Sequence, residues 1–172
     1  MPPLQIVVSD ASVILDLAKT RLIEATLALS FDFVIPDVIL TQELVDLGTY
    51  SAADLVRLGF RIGTFDGQGV AAAMTHYGRN ASRLSLNDCF ALTYAEQHAC
   101  ILLTGDGPLR TLAATLKIEV HGFLWAASHI AEKRTCSLDH LIAALKQLQA
   151  DPSVRLPQDT LAALIARLQA RN

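Results

Sequence analysis

Residues 85–106, SLNDCFALTYAEQHACILLTGD, constrain the fold more tightly than any other stretch, because they carry two acids whose separation converts into geometry. From Asp88 to about His98 there is no Gly or Pro, and Ala91, Leu92 and Ala95 recur three to four apart, as on one face of a helix. Cys100 to Thr104 then reads as a short buried strand. A helix of about eleven residues travels roughly 16 Å, and the turn and strand that follow return about the same distance at roughly 3.3 Å per residue. Asp88 and Asp106 therefore finish at one end. That end is the carboxyl edge of a strand, where open α/β sheets hold their ligands.

The rest of the chain repeats the same alternation. Leu4 to Ser9 is a β-branched run suited to a strand buried on both faces, and it ends on Asp10. Ser12 is placed to cap a helix through Leu17, and a second helix spans Arg21 to about Leu29. Phe31 to Ile35 is the next strand. Asp37 then caps a helix through Leu47 that Gly48 stops, and Ser51 to Leu58 is a further short helix. Phe60 to Phe65 reads as a third strand, Gly67 to Tyr77 as a helix, and Gly78 to Leu84 as a polar loop with two arginines. After the central block come a helix near Leu109 to Leu116, a strand at Ile118 to His121 and a helix from Phe123 to about Lys133. Such alternation predicts α/β architecture, a parallel sheet of about five strands flanked by helices. Beyond it Ser137 caps a helix to Gln149, and Pro157 opens a last one with Leu161, Leu164, Ile165 and Leu168 in register. The expected layout is a main domain over 1–135 and a C-terminal helical extension over 136–172, packed on the same domain.

With 172 residues the chain makes one ordinary core and buries roughly 70% of its unfolded surface. Apolar residues are 52% and charged residues 18%, which predicts an apolar face reserved for a homodimer or another partner. No run approaches eighteen apolar residues, and the opening MPPLQIVVSD has no basic region, so neither a membrane span nor a secretory signal is expected. The expected location is cytoplasmic. Cys89, Cys100 and Cys136 form no CxxC pair and fit reduced thiols. A formal charge of −3 excludes a global pull on nucleic acid, so any polyanion needs a local patch or a metal.

Applied to the whole chain, the geometry of the central block places Asp10 at the end of the first strand and Asp106 at the end of the fourth. Asp88 starts the helix between the third strand and the fourth. Glu43 lies about a turn and a half into its helix, and helical side chains lean toward the N-terminus, so its carboxylate reaches back to the same edge. Each acid also has an ordinary use. Ser85 and Asp88 have capping-box spacing, Asp106 before Gly107 and Pro108 suits an N-cap, Asp10 suits a turn, and Glu43 a solvated helix. Convergence favours the metal: like charges roughly 4 Å apart repel by about 4 kcal/mol at an effective dielectric near 20. A hard oxygen-bound ion, Mg²⁺ or Mn²⁺, is the natural occupant. Such a centre suits phosphoryl chemistry, an in-line displacement by metal-activated water. Ser12, Asn87 and Thr104 stand beside the acids, to orient water or phosphate or to serve as caps. Arg79, Arg83 and Arg110 are the nearest cations in sequence for substrate phosphates.

With these residues placed, the chain resembles a PIN-domain nuclease over most of its length. The likeness rests on VVSDASVILDL, VILTQEL, SLNDCFALTYAEQHACILLTGDGPLR and VHGFLW, of which the central block is the specific part. It implies a single PIN-like domain in which Asp10, Glu43, Asp88 and Asp106 match the family's acidic metal-binding quartet. It also implies Mg²⁺- or Mn²⁺-dependent cleavage of single-stranded RNA, usually in a homodimer. Small bacterial members resemble VapC toxins, held inactive by a cognate antitoxin whose tail covers the active site. One departure is that Gly107, Pro108, Leu109 and Arg110 follow Asp106 where many relatives carry a further acid. Two alternatives remain open: a PIN-like nuclease in RNA processing or DNA cleavage without a toxin role, and a noncatalytic interaction module of the same fold.

Overall fold

The β-branched run near the start forms strand β1 (Gln5–Ser9), and it occupies the middle of a five-stranded parallel sheet. The structure, a computed structural model, describes residues 4–171. On one side of β1 lie β2 (Phe31–Pro36) and then β3 (Arg61–Gly63). On the other lie β4 (Ile101–Leu103) and then β5 (Val120–His121). Val7 pairs with Phe33 on one flank and with Ile101 on the other. Val7 and Val8 are fully buried, which is why this strand reads as a continuous apolar run and not as an alternation.

The order β3-β2-β1-β4-β5 has a physical consequence for function. The chain leaves β1 in one direction and β4 in the other, so the helices that follow the two strands part above their carboxyl ends. The crevice at that switch point is where α/β sheets bind ligands. Helix α1 (Ala11–Lys19) packs with α2 (Ile23–Leu27) and α8 (Phe123–Lys133) on one face. On the other face α6 (Leu86–His98) crosses the sheet, flanked by α3 (Asp37–Gln42), α5 (Gly67–Asn80) and α7 (Gly107–Thr115). A Cβ on Gly63 would stand 2.6 Å from the Tyr94 ring, so only glycine lets α6 sit this close to the edge of the sheet. The remaining helix of the main body, α4 (Ala52–Leu58), opens on a Ser51–Asp54 capping box.

The C-terminal segment is helical as predicted. Helix α9 (Leu138–Ala150) packs on α8 and on α10 (Gln158–Gln169), burying Leu141, Leu145, Leu148, Leu161 and Leu168. Much of the apolar composition is therefore consumed inside this chain. Among the described residues no helix is long and apolar enough to cross a membrane.

Three local expectations are corrected. Asp10, not Ser12, caps α1: its carboxylate accepts from the Ser12 and Val13 amides. Helix α3 ends at Gln42, well before Gly48, because the Glu43 and Leu44 amides both close onto the Ile39 carbonyl and Leu44 and Leu47 turn into the core. Glu43 is thus the helix's C-cap and not an interior residue. Helix α5 runs through Gly78 to Asn80, whose side-chain amide donates to the His76 carbonyl at 2.9 Å. Gly78 costs about 1 kcal/mol in a helix interior, and packing against α6 outweighs it. Arg79 therefore stands on the last turn of a helix and only Arg83 lies in the connection.

Candidate functional site

Asp10 is the centre of the switch point. Its backbone amide bonds the Leu103 carbonyl at 3.0 Å, which ties the end of β1 to the end of β4. Its side chain is 3% exposed. One carboxylate oxygen, Oδ1, accepts from the Ser12 amide (3.0 Å) and the Ser12 hydroxyl (2.7 Å), with the Val13 amide at 3.5 Å. The other, Oδ2, accepts a short hydrogen bond from the Thr104 hydroxyl. Burial pushes the carboxyl up to about 6, against the hydrogen bonds from Thr104 and Ser12, and the charge of Asp88 adds to the rise. A buried acid beside a second acid is a site short of positive charge.

Thr104 and Ser12 link this acid to the next turn. The Thr104 hydroxyl also accepts from the Asp106 amide at 3.0 Å, and the Ser12 hydroxyl accepts from the Gly105 amide at 2.9 Å. Of the three residues predicted to stand beside the acids, Ser12 and Thr104 touch Asp10 directly. Asp106 caps α7, its Oδ1 accepting from the Leu109 amide at 2.8 Å. Asp88 makes the capping box foreseen from the sequence: Ser85 Oγ accepts from the Asp88 amide, and Asp88 Oδ2 accepts from the Ser85 amide at 2.7 Å. The capping and site roles are compatible, since each cap uses one carboxylate oxygen and leaves the other.

Glu43 is exposed and forms no hydrogen bond or ion pair with Asp10, Asp88 or Asp106 among the described residues. Among those residues no three His, Cys, Asp or Glu side chains form a ready-made metal site. The donors are all carboxylate and hydroxyl oxygens, the chemistry of Mg²⁺ or Mn²⁺ and not of zinc. Thiol chemistry is disfavoured: Cys89 and Cys100 are buried, and burial pushes both thiols up to about 11.

The three arginines separate. The Arg110 guanidinium donates to the Thr104 carbonyl at 3.1 Å and lines a cavity of about 310 Å³ beside it. Arg79 and Arg83 are exposed and do not line that cavity. Asn87, half-buried at the start of α6, has no hydrogen bond from its side chain among the described residues. Residues the sequence did not single out also reach the site. Arg155 stands in the connection between α9 and α10, between the cavity beside Thr104 and a second one that holds Ser12, Asp16 and Asp106. The Asp16 carboxyl is pushed up to about 6 by burial, which outweighs the opposing charge of Lys19. The only sequence signal for Arg155 was its place in the break between two prolines, Pro152 and Pro157.

A family model described as DUF3368, PIN domain, matches residues 6–170, nearly the whole chain and the C-terminal helices with it. No curated protein matches the sequence.

Proposed function

The chain belongs to the PIN-domain family, a nuclease fold, and on that premise we propose that it is a Mg²⁺- or Mn²⁺-dependent endoribonuclease cleaving single-stranded RNA. The observation that carries this is the buried Asp10 carboxylate at the switch point, raised further by the charge of Asp88. A fold that holds two acids this way loses stability unless a cation compensates them.

In this reading Asp10, Asp88 and Asp106 would hold the ion, with Glu43 as a further ligand or a water-orienting base. When bound, the ion supplies activation of a water nucleophile and neutralisation of phosphate charge. The chain's own groups do the positioning. Thr104 and Ser12 fix both oxygens of Asp10, and Ser12 also pins the Gly105 turn. The N-termini of α6 and α7, which carry Asp88 and Asp106, favour a phosphate electrostatically. Asn87 is free to orient water. Arg110 grips the phosphate on the β4 side, and Arg79 and Arg83 approach from the α5–α6 side.

The finer proposal is a cytoplasmic toxin of VapC type, working as a homodimer and silenced by an antitoxin. It is supported by the sequence resemblance and by the exposed apolar side chains Val56 on α4, Ile62 on β3, and Val70 and Met74 on α5. A second reading, a noncatalytic interaction module, is favoured by one fact: no three acids stand gathered among the described residues. Thermal unfolding against Mn²⁺ separates the two. A metal centre raises the midpoint of the wild type as it saturates, and does so far less in Asp10→Asn or Asp88→Asn. No shift at millimolar Mn²⁺, with no RNA cleavage, establishes the binding module. Arrest of growth on expression, absent in Asp88→Asn, checks the toxin role.

A further inference from the structure

We infer that the cavity between the carboxyl ends of β4 and β5 and the α9–α10 connection is a nucleotide subsite, binding one base and its phosphate next to the acids. This rests on the nuclease reading for its biological sense but not for its observations. At about 310 Å³ the cavity lies near the small end of ligand pockets, roughly 300–1,000 Å³. That is room for one nucleotide.

Its walls supply the two chemistries that a nucleotide needs. His121 and Trp125 both line it and stack on each other, with centroids 4.9 Å apart and planes 11° from parallel. Trp125 is also braced by Phe31 and His129, which do not line the cavity, at 5.1 and 4.3 Å between ring centroids. A braced aromatic wall is a platform for a base, and base stacking tolerates any sequence. The phosphate side holds Arg110 and Arg155, neither in an ion pair with a carboxylate among the described residues. It also holds the first turn of α8, an eleven-residue helix whose N-cap is Gly122 and which receives no side-chain cap. Uncapped helix amides with two guanidiniums form an anion site. Gly122 is part of the construction: a Cβ there would stand 3.2 Å from Arg110 Nη1 and 3.4 Å from the Thr104 carbonyl oxygen.

Position assigns the subsite to the same substrate. Thr104 lines the cavity with its carbonyl on Arg110, while its hydroxyl sits on Asp10. A strand whose phosphate lies at the acids therefore places a neighbouring nucleotide here. The opposite wall, Arg155, Leu156, Pro157 and Thr160, comes from the C-terminal segment, which gives that segment a role in recognition. It is anchored to α1 through Lys19, whose Nζ lies 3.4 Å from Asp151 Oδ2 and 3.5 Å from Ser153 Oγ.

Trp125 is the chain's single tryptophan, so its emission reports on the cavity directly. The full chain, kept in chelator, is titrated with uridine 5′-monophosphate, a short oligouridylate and inorganic phosphate. Nucleotide and oligonucleotide are expected to quench Trp125 saturably and phosphate alone is not. Arg155→Ala, a change at an exposed residue, is expected to weaken oligonucleotide binding roughly tenfold, with Arg155→Lys recovering part of the loss. Binding seen by anisotropy of a labelled oligonucleotide with Trp125 emission unmoved, or affinity unchanged in Arg155→Ala, overturns the subsite. RNA cleavage by Arg155→Ala at wild-type KM overturns it too and leaves the nuclease standing. Arg155-dependent quenching in a protein that cleaves nothing supports the subsite and sinks the nuclease.

Discussion

Replacing Asp10 by Asn tests the switch-point chemistry without any assumption about substrate. In the folded chain the Asp10 carboxyl stands at about 6, against an ordinary 3.8, because it is buried. Between those pH values the folded chain binds more protons than the unfolded one. The stability from the neutral carboxyl is thus fully present below about pH 4 and is lost as pH rises through about 6. The displacement is worth about 3 kcal/mol. Asn keeps an acceptor for the Ser12 and Val13 amides but exchanges the oxygen facing Thr104 for a donor, at about 1 kcal/mol. Without metal at about pH 8, Asp10→Asn should therefore be more stable than wild type by about 1–2 kcal/mol. At about pH 4 the gap should close or reverse. Asp16, also raised to about 6, slopes both proteins alike and drops out of the difference. Urea unfolding in chelator at the two pH values measures it. Saturating Mn²⁺ should invert the order, adding about 2.7 kcal/mol to wild type at a hundredfold excess over Kd. An Asn variant less stable than wild type at pH 8 in chelator, or a gap indifferent to pH, refutes the reasoning.

Asp88→Asn retains an acceptor for the Ser85 amide, so urea unfolding in chelator should show a change within about 0.5 kcal/mol, while Mn²⁺-dependent cleavage falls by about a hundredfold or more. Marked destabilisation instead assigns Asp88 to capping alone. Gly122→Ala pushes the flexible end of Arg110 off the Thr104 carbonyl and away from the cavity wall, which should weaken oligonucleotide binding several-fold and lower stability by up to about 1.5–3 kcal/mol, the loss of one charged hydrogen bond, as urea unfolding would show. Ala99→Gly should stabilise the chain by about 0.5–1 kcal/mol, since Ala99 closes α6 with φ 47°, a left-handed conformation glycine adopts without strain. Calorimetry showing a loss there speaks against the αL cap.

How much of this was legible in the sequence depended on whether the signal was local. Strand identity and parallel order followed from the β-branched run at β1 and from helices of the right length between strands, because burial on both faces leaves a mark on every residue. Ser12, Asn87 and Thr104 were read from the sequence as standing beside the acids, and of these Ser12 and Thr104 touch Asp10. The end of α3 was placed too late because it is set by Leu44 and Leu47 turning inward, a tertiary demand that helix-stop residues do not announce. Arg155 was invisible for a related reason. Its position comes from the packing of α9 on α8, which brings a residue far along the chain to the cavity that Thr104 also lines.

The pairing of β1 with both β2 and β4 also governs when the crevice comes into being. Val7 meets Phe33 within one helix-pair connection but meets Ile101 only after most of the chain has been made. Closing so long a loop is entropically costly and slow. A nascent chain emerging from the ribosome thus carries Asp10 with one edge of its strand open, without Thr104 to hold its carboxylate or Asp88 beside it. The acids come together only through the pairing of β1 with β4, the contact between neighbouring strands that is most distant in sequence, so the crevice requires β4 to be in place.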